Sequence, residues 1–139
     1  MIKEFTIQGE PKSKARPRFG QGRTYTPKAT ADYEAMVGME YKRQCGGYNF
    51  SADGEKVPVS VAINAFFGIP KSASKKKRAQ MVCGEIKPTK KPDADNIAKI
   101  IMDGLNGIAF DDDAQVISLT VNKMYALEPC VYVVIGDVE

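Results

Sequence analysis

The sequence predicts a compact α/β fold, with a small mixed sheet packed by helices. Three patterns carry that expectation. Val57, Val59, Val61, Ile63, Ala65 and Phe67 alternate with a second set that includes Ser60 and Asn64, the two-residue period of a strand. Ile97, Ile100, Ile101, Gly104 and Leu105 recur at the three- and four-residue spacing of a helix with one buried stripe. The remaining segments give the order β-α-β-α-α-β-β, which suits a layered mixed sheet better than a nucleotide-binding double winding. At 139 residues the chain reads as a single domain over 1–139.

In chain order, Lys3, Phe5 and Ile7 place a first strand over 2–8. Glycines, prolines and the basic run Lys12, Lys14, Arg16, Arg18 and Arg23 make 9–27 a long loop or hairpin. Where that segment is extended, Lys14, Arg16 and Arg18 fall on one side. Ala29, Tyr33, Met36 and Val37 predict a helix over 29–44. A polar loop over 46–56 leads into the alternating strand, which Pro70 ends. Ser72 or Ser74 can cap a short basic helix running to 82, with Lys75, Lys76, Lys77 and Arg78 on it. The striped helix covers 96–105. Strands over 115–125 and 130–137 follow, joined by a turn near Glu128-Pro129.

Charge is divided along the chain. Residues 1–91 carry 18 Lys and Arg against 8 Asp and Glu, whereas residues 92–139 carry 2 against 9. A basic surface that holds phosphates and an acidic centre that holds a cation would produce that division. There is no histidine, which excludes His-based triads, imidazole general bases and His-containing zinc sites. Any metal is then held by oxygen, which favours Mg²⁺, with Mn²⁺ as a substitute. Cys45, Cys83 and Cys130 are odd in number and widely spaced, and are expected as reduced, small apolar fillers. No stretch approaches the roughly 20 apolar residues of a membrane span. The N-terminus lacks the apolar run of a signal peptide, so a cytoplasmic location is expected. No GxGxxG or GxxxxGK pattern indicates a dinucleotide site or P-loop.

The acidic centre is the densest chemistry in the chain. Asp93, Asp95, Asp111, Asp112 and Asp113 crowd with Lys99 into 21 residues, and carboxylates so crowded repel unless a cation neutralises them. In an extended backbone Asp93 and Asp95 point the same way. Asp95 stands where a helix N-cap belongs, and Lys99, four residues on, shares its face. Asp103 lies a further turn along, either facing the site or paired with Lys99. A reversal through Gly104–Gly107 returns Asp112 and Asp113 toward Asp93 and Asp95.

Lys91-Pro92-Asp93-x-Asp95-Asn96-x-x-Lys99, then Asp103-Gly104-Leu105-Asn106-Gly107, then Asp112-Asp113-x-Gln115-Val116, resembles the RusA family of Holliday-junction resolvases. The resemblance extends to Pro11-Lys12-Ser13-Lys14-Ala15-Arg16-Pro17-Arg18, to Tyr25-Thr26-Pro27 and to the Lys-rich stretch before the acidic motif. It implies a RusA-like fold, Mg²⁺-dependent endodeoxyribonuclease activity, and a homodimer that cuts opposed strands of a four-way junction. It also implies a bacterial, phage or prophage setting. By the same resemblance Asp93, Asp95 and Asp113 are the three magnesium-linked aspartates and Lys99 the active-site lysine. Asp112 matches the first acid of the family's acidic pair, and Asn96 the asparagine beside the second metal aspartate. Phe110 falls where many members carry Trp, and Asp111 where the family is variable and often basic.

Under this reading Asp93, Asp95 and Asp113, with Asp112 as an additional ligand, hold the metal while Lys99 stabilises charge on the phosphate. Lys14, Arg16, Arg18, Lys75, Lys76, Lys77 and Arg78 are the expected phosphate-backbone contacts. Three other readings fit the same residues. They are a nuclease that treats forks and flaps like junctions, a non-catalytic branched-DNA-binding protein, and a magnesium phosphotransfer enzyme acting on RNA or a nucleotide.

Overall fold

A computed structural model describes residues 1–14, 18–20, 22–52 and 54–138. Its elements are β1 (Ile2–Gln8), β2 (Arg18–Gly20), β3 (Arg23–Tyr25), α1 (Lys28–Cys45), β4 (Ser51–Ala52) and β5 (Glu55–Lys56). They continue with β6 (Val59–Gly68), α2 (Lys75–Val82), α3 (Ala94–Leu105), a 3₁₀ turn (Asp113–Gln115), β7 (Val116–Ala126) and β8 (Cys130–Asp137). The main elements follow the predicted order, and the fold is α/β with a mixed sheet.

Four strands form that sheet in the order β1-β8-β6-β7, and β2-β3 and β4-β5 are separate two-stranded hairpins. β6 and β7 are parallel because the intervening chain is long enough to cross over, carrying α2 and α3. β8 runs antiparallel to both β1 and β6. Although only a short turn joins β7 to β8, the two do not pair. β8 lies on the far side of β6, where Val131, Val133 and Ile135 oppose Ala65, Ile63 and Val61. A row Phe5, Val133, Ile63, Val121 thus crosses the whole sheet.

The alternation read in the sequence is the alternation of burial. Val59, Val61, Ile63, Ala65 and Phe67 are buried and their β6 neighbours half-buried. The strand starts at Val59, two residues later than Val57, because Pro58 has no N–H to give a ladder. Against this face pack Tyr33, Val37 and Tyr41 of α1 with Ile97, Ile100, Ile101 and Leu105 of α3. α1 stops where Gly46 takes the left-handed conformation (φ 68°), which lets the chain leave the helix without Cβ strain. Cys45 is buried as expected of a filler. Cys83 is exposed, because α2 has no buried face.

The two long helices approach very closely. A Cβ on Gly104 would lie 2.8 Å from Val37 Cβ and 2.9 Å from the Glu34 carbonyl oxygen. A Cβ on Gly38 would meet Ile108 Cδ1 at 2.7 Å and the Gly104 carbonyl oxygen at 3.2 Å. Gly104 therefore serves packing, despite costing helix propensity. Gly104→Ala would gain up to about 1 kcal/mol of propensity. It would lose about 1–3 kcal/mol to overpacking, because the neighbour at 2.9 Å is backbone. The expected outcome is net destabilisation, read as a lower urea midpoint at unchanged slope.

Candidate active site

α3 begins at Ala94, two residues before the expected start at Asn96. Asp93, in extended conformation, is its N-cap residue, and the Ile97 N–H donates to the Asp93 carbonyl at 3.0 Å. Asp95, expected as the cap, lies instead in the first turn. The sequence pattern misplaced the start because Ala94, Asp95 and Asn96 contribute nothing to the buried stripe, which opens at Ile97. Asp93 therefore stays in extended backbone while Asp95 is helical, and Lys91 feels both carboxylates. The Asp93 carboxylate makes no capping bond. It pairs with Lys91 Nζ at 2.8 Å, and both side chains are well exposed. Asp95 shares a face with Lys99, as its spacing predicted.

The second acidic segment is shaped by a buried glutamine. Gln115 is 4% exposed and every polar group of its side chain is used. Its Oε1 accepts from the Asp111 N–H (3.0 Å), the Asp112 N–H (3.2 Å) and Ser51 Oγ (3.0 Å), and its Nε2 donates to the Val57 carbonyl (3.0 Å). Asp112 closes a reciprocal cap by accepting the Ala114 N–H at 3.0 Å. The Asp113 N–H donates to Asn106 Oδ1 at 3.0 Å, which ties the turn to the end of α3. Asp111 accepts from Asn49 Nδ2 at 3.1 Å. The acidic run is thus sorted by its hydrogen bonds. Asp112 faces Ala114 and Lys56, the latter at 3.5 Å, and Asp113 faces α3.

Asp95, Lys99, Asp103 and Asp113 line one cavity of about 420 Å³, walled by Ala98, Met102, Val116 and Leu119. The reversal after α3 therefore does bring the acidic turn back to the helix. Among the described residues no three acidic or thiol side chains are close enough to enclose a metal ion. The donors nevertheless suit Mg²⁺, which is commonly held by one or two carboxylates with water and substrate phosphate completing the shell. Asp95 and Asp113 are two such oxygen donors on one cavity, and Asp93 is at the same end of the helix. A slightly larger cavity, about 460 Å³, lies between the Lys12-Ser13 segment and α1. Tyr33, Met36 and Ile100 make its walls largely apolar, and with a single carboxylate, Asp32, it is less suited to the chemistry.

Lys14 departs from its expected place on a solvent-facing arm. Its ammonium pairs with Glu34 and, at 3.1 Å, with Asp103, and its side chain is only 13% exposed. Asp103 thus faces the cavity and pairs with Lys14, not Lys99. Burial opposes the charge on Lys14, but the two carboxylates outweigh it and raise its pKa. Arg16 and the side chain of Arg18 lie outside the described residues. Lys75, Lys76 and Lys77 are exposed on α2, capped by Ser74 Oγ, while Arg78 turns back toward the Pro70 carbonyl at 3.5 Å.

Two lysines escaped the sequence reading. Lys123 on β7 donates to the Lys90 carbonyl at 2.6 Å and lies 5.1 Å from the Phe67 ring centroid. Lys90 sits 5.9 Å from both the Phe67 and Tyr125 rings. Together they anchor the chain just before the cis Lys91-Pro92 bond and Asp93. The available signal was that Lys123 and Lys99 are the two basic residues in 92–139. The exposed Phe19, beside Arg18 and paired across the hairpin with Thr24, was likewise missed.

An acidic cavity on a layered α/β frame, with the exposed Lys99 on its wall, carries donors that suit chemistry on a phosphodiester. The model of a family described as "Endodeoxyribonuclease RusA" matches residues 8–136. An uncharacterized protein of Bacillus subtilis (strain 168), YqaN, is 35% identical over 144 residues, covering 97% of this chain and 96% of that protein. This chain belongs to the RusA endodeoxyribonuclease family.

Replacing Gln115 by Leu keeps the volume but strands several partners, each costing about 1–3 kcal/mol where water cannot reach. The expected loss of stability is about 2–3 kcal/mol, with amide exchange accelerated at 111–115 before α3. The second prediction concerns acid. The Ala114 N–H, and then Lys56, hold the Asp112 carboxyl below its ordinary range. The stabilisation it gives is complete above the ordinary Asp value and is lost as pH falls through the lower, folded one. Unfolding midpoints measured from pH 5 downward are expected to fall less steeply in Asp112→Asn than in the parent.

Proposed function

We propose that this protein is a Mg²⁺-dependent endodeoxyribonuclease that resolves four-way DNA junctions, cutting two opposed strands symmetrically as a homodimer. The observation that carries the reading is the cavity shared by Asp95, Asp113 and Lys99 in a chain of the RusA family. Asp95 and Asp113 would hold Mg²⁺, or Mn²⁺ in its place, with Asp93 released from its exposed pair with Lys91. Solvent-exposed pairs of that kind are weak and screened, so a divalent ion competes easily for Asp93. When bound, the ion supplies an acidified water and neutralises charge on the scissile phosphate. Lys99 places a fixed positive charge beside that phosphate, where its long stem reaches without loss of helix packing. Asn96, next to Asp95 in the first turn, orients the ligand set.

Lys75, Lys76 and Lys77 on α2 would hold the DNA backbone, with Lys90, Lys91 and Lys123 leading toward the cavity. Phe19, 76% exposed on the hairpin that carries Arg18 and Arg23, offers an aromatic face to a base unstacked at the branch point. Two active sites related by dimer symmetry would meet the two equivalent strands of the junction.

End-labelled junction, fork and linear duplex, incubated with parent or Asp95→Asn protein in Mg²⁺ or EDTA, test the reading. Paired symmetric nicks in the junction, dependent on Mg²⁺ and absent from Asp95→Asn, are expected. Equal cutting of fork and junction would replace the resolvase with a broader structure-selective nuclease. Tight binding without cutting would leave a DNA-binding protein. Substituting Lys75, Lys76 and Lys77 by Ala is expected to weaken binding to all three DNAs alike. It should also flatten the salt dependence by about 0.9 in log–log slope for each phosphate that is no longer neutralised.

A further inference from the structure

Three of the aspartates on and near the cavity are each met by a lysine, Asp93 by its neighbour Lys91 and Asp112 and Asp103 by the distant Lys56 and Lys14, but the pairs differ in kind. Lys91 holds Asp93 with side-chain exposures of 82% and 47%, and Lys56 holds Asp112 with 60% and 45%. Both pairs are open to water and exchange readily. Lys14 is different. At 13% exposure it binds two carboxylates at once, Glu34 on α1 and Asp103 on α3, which are themselves 21% and 31% exposed. Its own N–H also donates to the Asn96 carbonyl at 3.2 Å, so backbone and side chain grip α3 on either side of Lys99. Asp95 and Asp113 enter no ion pair among the described residues.

Asp103 lines the same cavity as Asp95 and Asp113 and, by charge alone, is as good a cation ligand as either. A divalent ion entering there finds Asp103 on the same cavity wall as Asp95 and Asp113, although among the described residues no three carboxylates are close enough to enclose it together. Solvent-exposed pairs yield to such an ion, whereas a shielded lysine shared by two carboxylates does not. We propose that Lys14 is a positioning residue that withholds Asp103 from the metal set, confining the ion to Asp95 and Asp113 with Asp93. The proposal rests on the metal site assigned under the proposed function. It gives a separate task to a lysine that its sequence position marked for DNA.

Mn²⁺ binding to the full DNA-free chain, followed by calorimetry, tests it directly, with junction cleavage as a second readout. In Lys14→Met, Asp103 is set free. Mn²⁺ binding is expected to tighten by about five-fold or to gain an equivalent, while cleavage slows because the ion is displaced toward Asp103. The double variant Lys14→Met/Asp103→Asn is expected to return the isotherm toward that of the parent, as two residues acting through one pair require. Lys14→Arg, which keeps the charge, is expected to bind Mn²⁺ as the parent does. An unchanged isotherm in Lys14→Met overturns the proposal, and so does a double variant that keeps the tightened binding. Should Lys14→Met fail to fold, Asp103→Asn alone decides. Mn²⁺ affinity within about two-fold of the parent supports withholding, and loss of binding makes Asp103 a ligand and ends the idea. Mn²⁺ binding indifferent to Asp95→Asn would instead remove the metal site itself. Binding that needs both Asp95 and Asp103 would remove only this inference.

Discussion

α3 can touch α1 and the sheet at the same time only because no side chain stands where the helices cross. At Gly104 the space a Cβ needs is already filled by Val37 and the Glu34 carbonyl, and at Gly38 by Ile108 and Gly104 itself. This close approach sets the position of everything that follows on α3. It lets Ile97, Ile100, Ile101 and Leu105 reach the buried face of β6 and β8, and it leaves the opposite side of the helix to Asp95, Lys99 and Asp103. It also brings Glu34 near enough to Asp103 for one lysine to serve both. The spacing of the helices and the electrostatics of the cavity have the same origin.

Aspartates so concentrated would normally oppose folding, and the chain meets the repulsion in two ways. Lys56 and Lys14 come back from the basic half to meet Asp112 and Asp103, and Lys91 meets its neighbour Asp93. Backbone amides are spent on the acidic turn as well, because Gln115 and Asn106 hold the N–H groups of Asp111, Asp112 and Asp113 in a fixed order. Burying a glutamine is costly unless all its polar atoms are paired, and here they are. The turn therefore has a definite shape of its own, with Asp113 directed to the helix and Asp112 to its cap.

Most regular elements were legible because their information is local. The β6 alternation and the α3 stripe appear in the sequence as periods, and the periods became buried faces at nearly the same residues. Ser74 was legible as one of two candidate caps, with Ser72, for the same reason, since its partner Lys77 is three residues away. Where the local signal was silent, the reading slipped. The polar first turn of α3 hid the true helix start, so the cap was assigned to Asp95 when it is Asp93. Lys14 looked like one more member of a basic arm, because nothing nearby in sequence announces Glu34 or Asp103 as its partners.

Taken by itself, the sequence determined the α/β class, the order of the main elements, the absence of imidazole chemistry, and a motif set specific enough to indicate the family. All of these depend on residue type and short-range spacing. Only the tertiary structure decided that β8 inserts between β1 and β6, that Gln115 organises the acidic turn, and that Lys14 faces inward while Lys123 anchors the approach to Asp93. Those outcomes depend on contacts between residues far apart in the chain. Side-chain period and charge specify which face is buried, but not which distant partner meets it.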